Sequence, residues 1–133
     1  MIYLIDTDIC IYVIKKYPIK TIQKFKTIPP DDIGISSLTI AELQYGISKC
    51  VHQKINQHRL NEFLHPLAVI PFNHNAAIVY GSIRAQLENT GKIIGPIDML
   101  IAAQALQEQL ILVTNNEKEI KRVKGLKVEN WCK

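Results

Sequence analysis

Two short runs leave this chain few folds to choose from. Ile2, Tyr3, Leu4 and Ile5 form one unbroken β-favouring stretch, and LILVT at 110 to 114 forms another. A strand with one wet face alternates apolar and polar residues. A strand without that alternation is buried on both faces and belongs to a parallel sheet flanked by helices. The segments between the two runs carry helical spacing. Ile9 to Lys15 reads as a short helix; Pro18 starts a second, with Ile19, Ile22 and Phe25 at helical positions, and Pro29 and Pro30 end it. Ile33 to Ser36 is a second strand, followed by a helix from about Thr39 and another over Gln53 to Phe63. Leu67 to Phe72 makes a third strand; Asn73 caps a long helix that Gly91 terminates. Pro96 opens a helix through about Gln109, and after LILVT a helical turn near Asn116 to Val123 leads to a terminal strand around Leu126 to Glu129. This alternation predicts a three-layer α/β/α sandwich on a mainly parallel central sheet. No internal repeat, low-complexity segment or linker interrupts it, so a single domain over 1–133 is expected.

At 133 residues and 47% apolar content, the core needs neither disulfides nor a structural metal. Cys10, Cys50 and Cys132 are odd in number and far apart, as reduced cysteines of a cytosolic protein are. No apolar run reaches the roughly 20 residues of a membrane span, and the start lacks the basic region and cleavage site of a signal peptide. A cytoplasmic location without membrane contact is expected. The formal charge of +4 is unevenly placed. Lys15, Lys16, Lys20, Lys24 and Lys26 crowd one early stretch, and Lys118, Lys121, Arg122, Lys124 and Lys127 crowd the end. Either cluster suits phosphates or simply solvates a helix face.

Parallel strands gather their carboxyl ends on one edge, where ligands bind. Asp6 follows the first strand, Glu42 is expected in the first turn after the second, Asp98 follows Gly95 and Pro96, and Glu117 and Glu119 follow LILVT. Each has a local explanation. Asp6 can cap a helix, Thr39-x-x-Glu42 is a capping box, and an acid beside an N1 proline is favoured by the helix dipole. The helix of Asp98, however, is apolar nearly all round from Met99 to Leu106 except at Gln104, hence buried, and a carboxylate there needs a partner. Carboxylates sharing a small cleft stay ionised only if a cation neutralises them, and hard oxygen ligands select Mg²⁺ or Mn²⁺. His52, His58, His65 and His74 fall on exposed or loop-like stretches and show no metal-ligand pairing.

The ordered segments LIDTDICIYVIKK, SSLTIAELQYG, IRAQLENTGKIIGPIDMLIAAQA and LILVTNNEKEI resemble the PIN-domain ribonucleases across essentially the whole chain, and among them the VapC toxins of toxin-antitoxin pairs. The resemblance implies a PIN-like fold and a Mg²⁺-dependent endoribonuclease, with Mn²⁺ as substitute. The subgroup it is most similar to cuts the anticodon stem-loop of initiator tRNA. It implies metal binding by Asp6, Asp98 and Glu42, a catalytic acid at Glu119, and hydrogen-bond support from Thr7, Asp8 and Thr114. Asn116 stands where many PIN domains carry aspartate. Arg84, within the IRAQL segment, is the candidate phosphate contact on RNA. A VapB-type antitoxin and a homodimer are the partners implied, and Ile9, Ile11, Tyr12, Ile14, Ile22 and Phe25 offer apolar surface for either, or for the core. Two rivals remain. A PIN module that binds RNA or protein without cutting fits Asn116. A haloacid-dehalogenase-type phosphatase fits Asp6-Thr7-Asp8 but lacks the later paired acids.

Overall fold

A computed structural model describes the chain from Met1 to Lys133. Five strands, β1 (Tyr3–Ile5), β2 (Ile33–Ser36), β3 (Ala68–Ile70), β4 (Ile111–Val113) and β5 (Val128–Glu129), pair in the order β3-β2-β1-β4-β5, and every pair is parallel. Leu4 is in register with Gly34 on one side and Leu112 on the other. The sheet is therefore wholly rather than mainly parallel.

The two faces divide by residue parity, as a pleated strand dictates. Leu4 and Leu112 point toward α5 (His74–Asn89), α6 (Pro96–Gln107) and α7 (Glu117–Ile120), where they join Ile83, Leu87, Met99 and Ile101. Ile5, Ile33, Ile35 and Val113 point the other way, toward α1 (Thr7–Lys15), α2 (Ile19–Thr27), α3 (Ser37–Ser48) and α4 (Gln53–Leu64). Leu4 and Ile5 are both fully buried, as the unbroken apolar run requires.

Several boundaries differ from the sequence reading for local reasons. α1 begins at Thr7, not Ile9, because the Asp6 carboxylate accepts the Ile9 N–H and caps the helix. α3 begins at Ser37, not Thr39, because the Ser36 hydroxyl accepts the Leu38 N–H. The edge strand β3 keeps only three of the six residues from Leu67 to Phe72. Asn73 caps α5 through Ala76 N–H, and Gly91, at φ +67°, ends it as expected.

The position of α6 decides where Asp98 goes. This helix leads through Gln109 directly into β4, so it runs antiparallel to the strands, and its first turn lies at their carboxyl ends. Met99, Ile101, Ala102, Ala103, Gln104 and Ala105 are all buried, and α5 packs along it.

Candidate active site at the carboxyl edge of the sheet

The strand order turns back at the junction of β1 and β4, since β2 and β3 extend to one side and β4 and β5 to the other. A crevice at such a reversal is where open parallel sheets bind ligands. Asp6 leaves β1 at this point, its N–H bonded to Val113 O of β4 at 3.0 Å. Only 7% of Asp6 is exposed. Burial pushes its carboxyl up to about 7, although hydrogen bonds from the Thr114 hydroxyl and the Ile9 N–H favour the ion. Thr114 is itself fully buried and accepts the Asn116 N–H at 3.0 Å.

Glu42 sits in the second turn of α3 rather than the first. That position rules out the capping box, whose acid must stand three residues after the cap. Its Oε1 instead accepts the Thr7 hydroxyl at 2.5 Å, and the same hydroxyl lies 3.2 Å from Thr39 Oγ1. Thr7 thus ties α3 to the start of α1, one residue from Asp6.

Asp98 is half-buried in the first turn of α6, with its carboxyl raised by burial and by the charges of Asp8, Glu119 and Glu42. The Asn116 amide opposes this rise by donating to Asp98 Oδ2 at 3.3 Å and to Glu119 Oε2 at 3.0 Å. Glu117 takes no part; it pairs with Lys121 and Lys133. Asp8 departs from its expected role. It is exposed and makes no side-chain hydrogen bond, and it acts on Asp6 and Asp98 by charge alone. Arg84 is exposed on α5 and bonds to Tyr80 Oη at 3.1 Å and Glu88 at 3.7 Å, so its contacts stay on its own helix. All four histidines are exposed, and the three cysteines are free.

Sequence reasoning missed the double hold of Asn116 on two acids. The signal available was the spacing Asn116-x-x-Glu119, which puts both side chains on one face of a helical turn. As a donor set the cluster suits a hard cation, because all its ligand atoms are carboxylate oxygens around a buried carboxyl held at about 7. The side chains do not yet converge on one point, and no three acids form a closed metal cage. Asn116 holds Asp98 through Oδ2 alone and Thr7 holds Glu42 through Oε1 alone, so each carboxylate keeps its other oxygen for a cation.

The PIN domain family profile matches residues 3–126. Over 134 aligned residues and the whole of both chains, this chain is 45% identical to ribonuclease VapC2 of Rickettsia felis. It is 36% identical to the tRNA(fMet)-specific endonuclease VapC of Salmonella typhimurium, with 98% of each chain covered. A crystal structure of VapBC2 from Rickettsia felis, bound to a DNA fragment from their promoter, contains a chain that superposes with a TM-score of 0.91 at 44% identity, over 98% of this chain and 99% of that one. The chain belongs to the PIN domain family and, within it, to the VapC ribonucleases.

Proposed function

We propose that the chain is a Mg²⁺-dependent endoribonuclease toxin that cuts the anticodon stem-loop of initiator tRNA, with Mn²⁺ able to replace Mg²⁺. One observation carries the reading: Asp6, Asp8, Glu42, Asp98 and Glu119, drawn from four separate stretches of sequence, share the edge where a parallel sheet receives its ligand. Asp6 and Asp98 would hold the ion, and Glu42 and Glu119 would complete a second metal site or orient the attacking water. When bound, the ion supplies Lewis acidity at the scissile phosphate and neutralises the charge the acids share. Asp6 would hold such an ion only in its ionised form, which the Thr114 hydroxyl and the Ile9 N–H favour. Thr7 aims Glu42, Thr114 aims Asp6, and Asn116 spaces Asp98 from Glu119. Hydrolysis leaves a 3′-hydroxyl and a 5′-phosphate.

The choice of RNA rests on likeness to the Salmonella endonuclease, whose name specifies tRNA(fMet). The partner is a VapB-type antitoxin, because the similar Rickettsia protein is solved as a VapBC2 complex. A groove of about 340 Å³ between α1, α3 and α4 supports that partner. It is lined by Thr7, Glu42, Ile11, Ile14, Ile47 and Arg59. Phe25, by contrast, stacks on Phe63 at 5.9 Å and belongs to the core. A homodimer in the cytoplasm completes the reading; no helix is long and apolar enough to cross a membrane.

The target is tested with end-labelled initiator and elongator methionine tRNAs incubated with the purified chain and Mg²⁺. A single cut in the anticodon stem-loop of the initiator alone is expected. Equal cutting of both overturns the target, and a gel shift without cutting favours the binding module.

A further inference from the structure

The early basic run is not absorbed by the carboxylate site, and part of it lines a cleft. α2 presents Lys20, Gln23, Lys24 and Thr27 at spacings of three, four and seven, which is one continuous helix face. Its other face buries Thr21 and half-buries Ile22 and Phe25. The polar face forms one wall of a cleft of about 490 Å³, and the chain's last residues, with Asn130 and Lys133, form the other.

This cleft carries a net positive charge, from Lys20, Lys24 and Lys133 against Glu129. α2 contains no acid, and neither Lys20 nor Lys24 makes a salt bridge. Like charges four residues apart weaken a helix, and a bound anion relieves them. The one acid in the wall, Glu129, accepts the Trp131 indole N–H at 3.1 Å and forms no salt bridge with either lysine of α2. Lys133 is engaged by Glu117, which leaves Lys20 and Lys24 as the free cations.

The cleft also adjoins the catalytic edge. Asn130 Nδ2 donates to Asn115 Oδ1 at 3.2 Å, and Asn115 directly precedes the residue that holds Asp98 and Glu119. We propose that the cleft between α2 and the C-terminal residues holds phosphates of the RNA strand beside the scissile one, with Lys20 and Lys24 as positioning residues. The proposal rests on the ribonuclease reading above.

The test is a Lys20→Gln, Lys24→Gln double variant, assayed on tRNA over a salt series. Both side chains are exposed, so an unchanged circular dichroism spectrum and melting temperature are expected. The KM is expected to rise with kcat retained. The slope of log affinity against log salt should shrink by about 1.4, at roughly 0.7 for each phosphate of a single strand that is no longer neutralised. Anisotropy with labelled tRNA follows the same slope without cleavage, so it separates failure of the cleft from failure of the ribonuclease reading. An unchanged KM and slope overturns the proposal, as does a variant that handles tRNA normally but loses affinity for an acidic partner protein.

Discussion

The Asn116 side-chain amide lies 3.3 Å from Asp98 Oδ2 and 3.0 Å from Glu119 Oε2, so one neutral group joins carboxylates from α6 and α7. Each amide hydrogen serves one acid. Asn116→Asp replaces that shared donor with a third charge. The metal-free variant should lose about 2 kcal/mol, read as a lower melting temperature. Added Mg²⁺ should raise its melting temperature more than it raises that of the unaltered protein, because a cation relieves the larger repulsion. Equal metal-induced shifts contradict this.

Asp6 makes the metal-free protein sensitive to pH. Its carboxyl is raised from 3.8 to about 7 by burial, so the protonated form is the one the fold prefers. A group raised in the folded state contributes stability that is complete below its unfolded pKa and is lost as pH climbs through the folded one. The window is therefore from about 4 to about 7, with an upper limit of about 4 kcal/mol. Asp98, raised in the same direction, adds to the trend. Chemical denaturation in chelator should show stability falling between about pH 4 and about pH 7, and more steeply than in Asp6→Asn. A variant that tracks the unaltered protein across this range contradicts the assignment.

Thr7 tests the link between α1 and α3. Thr7→Val keeps the shape but removes the hydroxyl that Glu42 accepts, at a cost of about 1 kcal/mol. Activity should fall further than stability does, and Thr7→Ser should restore it. If Val and Ser variants cleave equally, the hydroxyl has no part in aiming Glu42.

What could be read from the sequence was what local pattern encodes. β1 and β4 announced themselves because burial on both faces removes alternation, and Asn73 and Gly91 because their roles need only neighbouring backbone. Asp6 looked like either a cap or a functional carboxylate, and it is a cap placed at the carboxyl edge of the sheet. The capping-box alternative for Glu42 fell only with the start of α3 at Ser37, a shift of two residues that local pattern could not resolve. The Thr7 bond to Glu42 spans 35 residues and waits on the pairing of β1 with β2, and the Asn116 bond to Asp98 spans 18 and waits on the packing of α6 against β4. The exposure of Asp8 and the isolation of Arg84 on α5 were likewise set by packing and not by spacing.

The most direct test of the account is cleavage of total tRNA on a denaturing gel by the purified chain, with Mg²⁺ or Mn²⁺, with EDTA, and with an Asp98→Asn variant alongside. Asp98 is the right residue to change because its helix reaches the site only through the fold. Cutting of one tRNA, with metal present and by the unaltered protein alone, is expected. Intact RNA under every condition, with the antitoxin verifiably absent, or cutting that persists in EDTA or in the variant, contradicts a metal-dependent ribonuclease built on these carboxylates.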